Sequence, residues 1–163
     1  WKSFKQGNYR LSVLILVVLG ITLRVFAGSD LFLHDWDERY HALVAKNMMD
    51  DPFTPMLYQN PILGYDIENW CGNHIWLHKQ PLPLWMMSAS MSVFGVNEIA
   101  LRLPSILLGG LGIYLMFKVG KMLFNRRVGF IASFLFSIHG LIIELTAGRV
   151  ATDHIDVFFM VFI

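Results

Sequence analysis

The chain has 163 residues and is almost neutral, with 13 Lys and Arg against 12 Asp and Glu. Charged residues make up 15% of it and apolar residues 55%, whereas a soluble domain carries about 25% charged residues. This balance excludes a disordered tail and a basic nucleic-acid-binding domain, and the single cysteine, Cys71, excludes a disulfide scaffold. A neutral, charge-poor, apolar chain is typical of an integral membrane protein.

The first apolar segment predicts a transmembrane helix over residues 11–27. Its one charge, Arg24, lies near the end of the segment and is expected to snorkel to the membrane interface. A cleaved signal peptide is the alternative, since Lys2, Lys5 and Arg10 precede the apolar run and small residues end it.

Two further spans are predicted at 104–124 and 128–147, joined by a short basic loop at 125–127. Pro104 would occupy the first helical position of the second span, where proline is tolerated. A final apolar run, 155–163, is expected to start a fourth span. We therefore expect the sequence to be the amino-terminal part of a longer protein and to be inactive alone.

A shorter apolar run at 81–96 is predicted to lie in the membrane interface. Clusters of Lys and Arg place both the amino terminus and the 125–127 loop in the cytoplasm. Two points on the same side of the membrane need an even number of crossings between them, and the spans 11–27 and 104–124 supply two. A third crossing at 81–96 is therefore excluded. The predicted fold is all-α and polytopic, with a long outer loop that carries interfacial helices at about 36–49 and 81–96. Its segments are the cytoplasmic terminus 1–10, span 11–27, outer loop 28–103, span 104–124, loop 125–127, span 128–147, outer loop 148–154 and the partial span 155–163.

Three acids, Asp35, Asp37 and Glu38, lie close together at the start of the predicted helix 36–49. Asp35 is expected to be the N-cap and Glu38 the third residue of a capping box. Capping does not explain Asp37, and clustered carboxylates repel one another unless a cation binds beside them. We therefore interpret Asp37 as a functional residue.

A second polar cluster precedes the 81–96 run. His74, His78 and Lys79 could donate hydrogen bonds to an anion, although Lys79 taken alone is better explained as an interface anchor. Trp70 and Trp76 are suited to the interface or to stacking on a sugar. The spacing of the two histidines could suit a metal on a helix, but neighbouring Gly and Pro oppose a helix and no acid completes the site. No cofactor is assigned, and a divalent metal stays an alternative.

Two more polar stretches flank the later spans. Asn97 is expected to cap a short helix in which Glu98 pairs with Arg102, four residues later. Arg149 and Asp153 follow the third span. Such charges often mark a membrane boundary, but an arginine beside aspartates also suits a phosphate and a hydroxyl group.

Five motifs, in order across about residues 30–160, resemble those of C-type membrane glycosyltransferases. They are Asp37-Glu38-Arg39-Tyr40, Lys79-Gln80-Pro81-Leu82, Phe94-Gly95-Val96-Asn97-Glu98 with Arg102-Leu103-Pro104-Ser105, Leu123-Phe124-Asn125-Arg126 with Gly129, and Gly148-Arg149 with Asp153. The chain is similar to the amino-terminal part of the branch that contains protein O-mannosyltransferases and the aminoarabinose transferase that modifies lipid A. It departs from the branch at His78, where lipid A-modifying relatives tend to have an acid, and at Gln80, which replaces a proline.

The resemblance implies transfer of a sugar from a polyprenyl-phosphate carrier to a hydroxyl or phosphate acceptor at the outer membrane face. The partners would be that donor, a lipid or protein acceptor and membrane lipids, without nucleic acid. The implied catalytic carboxylates are Asp37, Glu38 and Asp153, and the implied phosphate-binding residues are Lys79 and Arg149, to which His78 is added as a neighbouring donor.

Two other classes of function stay open. A transporter or flippase subunit would carry breaks near mid-span, and Gly109, Gly110 and Gly112 do interrupt the second span. A non-catalytic scaffold would have no reason to gather acids around Trp36. A bacterial inner membrane is favoured over the endoplasmic reticulum, because residues 50–74 resemble bacterial members more.

Overall fold

The computed structural model describes residues 9–69, 73–150 and 153–162. It confirms the predicted all-α architecture: within these ranges the chain forms helices, and its β pairing is an isolated bridge between Met56 and Ile75. The helices are α1 (Tyr9–Ala27), α2 (Asp37–Asn47), α3 (Pro81–Phe94), α4 (Glu98–Leu123), α5 (Arg126–Ser137), α6 (Gly140–Thr146) and α7 (Asp153–Phe162).

The membrane part of the fold is centred on α4. Both α1 and α4 are long and apolar enough to cross a membrane, and α5 with α6 would form a third, bent span. α4 runs antiparallel to α5, and the two backbones touch: a Cβ on Gly120 would lie 2.7 Å from the Cα of Gly129. Small residues permit such close packing, which gives helices in lipid their van der Waals contact.

The second predicted span starts earlier than expected. Asn97 caps α4 by accepting a hydrogen bond of 2.9 Å from the amide of Ala100, so Pro104 lies inside the helix and not at its first position. A proline there deprives the carbonyl of Ala100 of its usual donor. The hydroxyl of Ser90, on α3, replaces that donor at 2.6 Å, which explains how the helix continues through the proline.

The region predicted as one continuous span, 128–147, comprises two helices bent by 55°. Arg24 lies at this break and corrects a second expectation, because its side chain is fully buried and does not snorkel. Its guanidinium donates to the carbonyl of Ser137 at 3.2 Å and to that of Gly20 at 3.0 Å. The last carbonyls of a helix lack partners within the helix and favour a cation, so Arg24 stabilises the end of α5.

Helices α2 and α3 occur where the two interfacial helices were predicted, and the chain between them packs on α2. The amide of Leu57 donates to the carbonyl of His74 at 2.8 Å, and that of Trp76 donates to the carbonyl of Pro55 at 2.8 Å. Leu57 and Trp76 are buried in one cluster with side chains of α2 and α3. This packing holds the segment that leads to Lys79 against α2.

Candidate functional site

The structure brings together two site residues that the sequence places in different motifs. Asp37 is the first residue of α2, and Lys79 lies just before α3. The Oδ2 atom of Asp37 is 3.2 Å from the Nζ atom of Lys79, and the two side chains are 23% and 19% exposed. A carboxylate and an ammonium group thus meet in a half-buried position that a ligand could reach.

The start of α2 differs from the predicted capping box. Trp36 precedes the helix, and no side-chain hydrogen bond caps it, so Asp35 is not the N-cap and instead pairs with Arg39. Trp36 has a φ of 68°, a conformation that costs of order 1–3 kcal/mol for a residue other than glycine and tends to occur at functional sites. It is also 75% exposed, which leaves a large aromatic ring beside Asp37.

Glu38, the next residue, has a different environment from Asp37. Its side chain is fully buried and accepts hydrogen bonds from Arg102 Nε at 2.7 Å and Arg102 Nη2 at 3.0 Å. His154 Nε2 lies 3.0 Å from the same carboxylate, and the amide of His34 donates to it at 2.6 Å. Glu38 therefore joins α2 to α4 and α7.

These contacts correct the expected pairing of Glu98 with Arg102. Arg102 is fully buried, and a buried cation requires a buried anion, which Glu38 provides and the more exposed Glu98 does not. The guanidinium of Arg102 also donates to the carbonyl of Gly28 at 3.0 Å and to that of Phe32 at 2.8 Å. One arginine thus fixes the chain between α1 and α2.

The far side of this network is formed by α7, by Ser105 of α4 and by the turn that follows α6. His154 Nδ1 lies 3.1 Å from the hydroxyl of Ser105, which donates to the carbonyl of Arg102 at 2.8 Å. Gly148 has a φ of 76°, and a Cβ there would overlap the carboxylate of Glu38. Both its backbone conformation and its contact with Glu38 therefore require glycine.

The electrostatics of Glu38 indicate a structural anion. Burial raises the pKa of its carboxyl group, but hydrogen bonds from His154 and Arg102 outweigh burial and hold the pKa at about 2. Glu38 is therefore ionised at neutral pH and already bonded on both oxygens. Because Glu38 directly follows Asp37, the network anchors the backbone next to Asp37.

Arg149 lies in a second group of charges. Its Nη2 atom is 2.8 Å from Asp30, its Nη1 atom is 3.3 Å from Glu144, and it donates to the carbonyl of Ala27 at 3.0 Å. The hydrogen bond with Asp30 raises the pKa of Arg149 and lowers that of Asp30. None of these contacts involves Lys79, so Arg149 joins the ends of α1 and α6.

Of the other predicted site residues, His78 is the neighbour of Lys79, while Trp70 and Asp153 lie wholly or partly outside the described residues. The ring of His78 is 5.5 Å from that of Trp76. Trp76 itself is 2% exposed, so of its two suggested roles, at the interface or in stacking on a sugar, the second is not available to the buried ring. Trp70 lies outside the described residues, and so does the side chain of Asp153, whose backbone begins α7.

The metal alternative gains no support from the part of the chain that is described. There, no three His, Cys, Asp or Glu side chains are grouped so that they could hold an ion. The described residues from 73 to 80 are not helical, so His74 and His78 do not share the helix face on which that alternative depended.

Sequence reasoning missed the roles of His34, Arg102 and His154 around Glu38. The signal for Arg102 was present, because an arginine within an apolar helix demands a buried acid. The identity of that acid was not readable, since it lies 64 residues away.

Comparison with known proteins finds a family match over the second half of the chain. The family model described as dolichyl-phosphate-mannose-protein mannosyltransferase matches residues 78–163. That stretch contains Lys79, Arg102, Arg149 and His154, while Asp37 precedes it. No curated protein and no solved structure matches the chain.

Proposed function

Because the chain belongs to the dolichyl-phosphate-mannose-protein mannosyltransferase family, we propose that Asp37 and Lys79 form the centre of a sugar-transfer site. The donor is a sugar linked to a polyprenyl phosphate, and the acceptor is a hydroxyl or phosphate group on a protein or lipid. The observation that supports this proposal is the 3.2 Å contact between the Asp37 carboxylate and the Lys79 ammonium group.

Lys79 acts on the leaving group. During transfer the bond between the sugar carbon and the carrier phosphate breaks, and negative charge grows on the phosphate oxygen. A fixed cation stabilises that charge in the transition state more than in the ground state. An ammonium group has three N–H donors, so Lys79 can hold Asp37 and a phosphate oxygen at once.

Asp37 acts on the acceptor. The acceptor oxygen attacks the sugar carbon as the phosphate leaves, in a single displacement that inverts that carbon. When the acceptor is a hydroxyl group, its proton passes to the carboxylate of Asp37. A phosphate acceptor is already ionised, and Asp37 then orients the bound acceptor.

The remaining residues support this pair. We assign Glu38 a positioning role, because its buried carboxylate is fully engaged with Arg102 and His154. Arg149, which is 34% exposed, is proposed as a second phosphate-binding cation, with His78 as a neighbouring donor. Asp153 is proposed as a second carboxylate of the pocket, since the adjacent His154 reaches Glu38.

The site is proposed to face the outside of a bacterial inner membrane. Asp37 and Lys79 lie at the end of the bundle where α1 ends and α4 begins, whereas Arg126 and Arg127 lie at the other end, where α4 ends. Basic residues of short loops favour the cytoplasmic side, which leaves the outer side for the site.

Turnover by the full-length protein in nanodiscs tests the proposal. Polyprenyl-phosphate sugars are supplied, and released polyprenyl phosphate is measured for the wild type and for Asp37→Asn. We expect Asp37→Asn to lower the rate by about 10²–10⁴-fold, the usual contribution of a general base.

Asp35→Asn is the matched control, because Asp35 is an exposed acid of the same segment that pairs with Arg39. It should release polyprenyl phosphate at the wild-type rate. Equal rates in all three proteins would exclude Asp37 from the reaction, and no release by the wild type with any donor would favour a transporter or a scaffold.

A further inference from the structure

A groove lies between α1 and α4, at the end of the bundle away from Asp37. Its volume is about 630 Å³, and its basic lining residues are Arg10, Lys118 and Lys121. Ligand pockets of proteins commonly have volumes of about 300–1,000 Å³, so the groove is large enough for a lipid headgroup with part of its chains.

The charged residues that line the groove are all cations. Its three cations come from two helices, and the sequence has no Asp or Glu in α1 or between residues 99 and 137. The carboxylate that α4 does carry, Glu98, lies at its opposite end and does not balance these cations. The Nζ atom of Lys118 lies 6.0 Å from the ring centroid of Tyr114, a contact that orients the ammonium group at the groove.

The rest of the lining is apolar. Val13 and Phe117 form part of it and are almost fully buried, while Val17 of α1 is partly buried and Leu14 of α1 is exposed. Because α1 and α4 are helices of membrane-spanning length, the groove runs from a basic end into the apolar zone. A ligand that matches it has an anionic head and a hydrocarbon tail.

We propose that this groove binds an anionic phospholipid from the membrane leaflet on its side. The phosphate group lies among Arg10, Lys118 and Lys121, and an acyl chain follows the apolar lining between α1 and α4. Basic pockets between transmembrane helices bind anionic headgroups by this combination of charge and burial. The site is separate from the proposed sugar-transfer centre, so lipid binding and turnover can fail independently.

Native mass spectrometry of the full-length protein tests the proposal. The protein is taken from nanodiscs that contain equal amounts of phosphatidylcholine and phosphatidylglycerol, and the lipid that stays bound is identified. We expect phosphatidylglycerol to be enriched on the wild type. Lys118→Gln/Lys121→Gln should weaken its binding about 25-fold, because each cation near an anionic headgroup contributes roughly fivefold.

Arg126→Gln/Arg127→Gln is the matched control, since it removes the same charge from the same end of the bundle without touching the groove lining. It should keep the enrichment. Equal loss in both double variants, or equal binding of the two lipids to the wild type, would overturn the proposal. So would retention of polyprenyl phosphate in place of phosphatidylglycerol when both are offered.

Discussion

Two adjacent carboxylates, Asp37 and Glu38, have opposite environments because successive residues of a helix point about 100° apart. The side chain of Asp37 is 23% exposed and meets Lys79, whereas Glu38 is fully buried against Arg102 and His154. The same motif thus combines an accessible carboxylate, which we propose for the chemistry, with a buried one, which we propose for positioning.

Glu38→Gln is expected to destabilise the protein strongly. The substitution keeps the shape of the side chain but leaves Arg102 buried without its anion, and breaking a buried ion pair costs roughly 3–5 kcal/mol. The free energy of unfolding in detergent should fall by about that amount. Asp37→Asn is the control, because its partly exposed ion pair contributes about 1 kcal/mol or less. Equal stability of the two variants would contradict the anchoring role of Glu38.

The same carboxylate makes stability depend on pH. Despite burial, hydrogen bonds from His154 and Arg102 hold the pKa of Glu38 at about 2, against 4.5 for an ordinary glutamate. A group whose pKa is lower in the folded state stabilises the fold above its unfolded pKa and ceases to do so as pH falls through its folded pKa. We expect about 3 kcal/mol of unfolding free energy to disappear between pH 4.5 and pH 2.

Denaturant titrations over that pH range measure this effect, and Glu38→Gln should lack the corresponding part of the profile. A variant whose pH profile coincides with that of the wild type would assign the acid sensitivity to another group.

At the scale of residues, the sequence assigned side chains to motifs but did not identify their partners. Asp37 and Lys79 stand in recognisable motifs, but their contact depends on how the 73–80 segment packs on α2. The partners of Glu38 are 64 and 116 residues away. Capping and i,i+4 rules consider only residues that are close in sequence. They therefore assigned the wrong partners to Glu38 and Arg102.

Among the helices, α4 depends on a partner helix to pass through its proline. The hydroxyl of Ser90 donates to the carbonyl that Pro104 leaves without a donor. Ser90→Ala should therefore lower the free energy of unfolding by about 1–3 kcal/mol, the cost of an unsatisfied buried acceptor. Ser92→Ala is the control, since the hydroxyl of Ser92 donates within its own helix and should contribute little.

A double-mutant cycle distinguishes this explanation from simple loss of packing. In Pro104→Ala the amide of residue 104 can donate to the carbonyl of Ala100, so Ser90→Ala should cost much less in that background. An undiminished cost would contradict the replacement of a backbone donor by Ser90.

The apolar runs predicted that the membrane helices exist, but they did not predict where those helices start and break. The existence of α1, α4 and α5 was predictable because about 20 apolar residues suit a membrane span. At the bend after Ser137, a backbone carbonyl is bonded by Arg24 of another helix. Within α4, the carbonyl that Pro104 leaves without a donor is bonded by Ser90 of α3. Both are tertiary effects that a single segment does not reveal.

For the molecule as a whole, the two ends of the bundle differ in chemistry. Residues of the Glu38 network and of the Asp37–Lys79 pair gather where α1 ends and α4 begins, and the basic groove lies where α1 begins and α4 ends. The match to residues 78–163 confirms the family that the ordered motifs predicted. The contact between Asp37 and Lys79 joins the matched part of the chain to the part that precedes it.

The most direct test of the central claim is a double-mutant cycle on the rate of polyprenyl phosphate release by the full-length protein. Asp37→Asn, Lys79→Gln and the double variant are compared in a single turnover, with folding checked by thermal unfolding. If the two residues act on one transition state, each single variant should lose about 10²-fold or more, and the double variant should lose much less than the product. Wild-type release by either folded single variant would contradict a transfer centre at this pair.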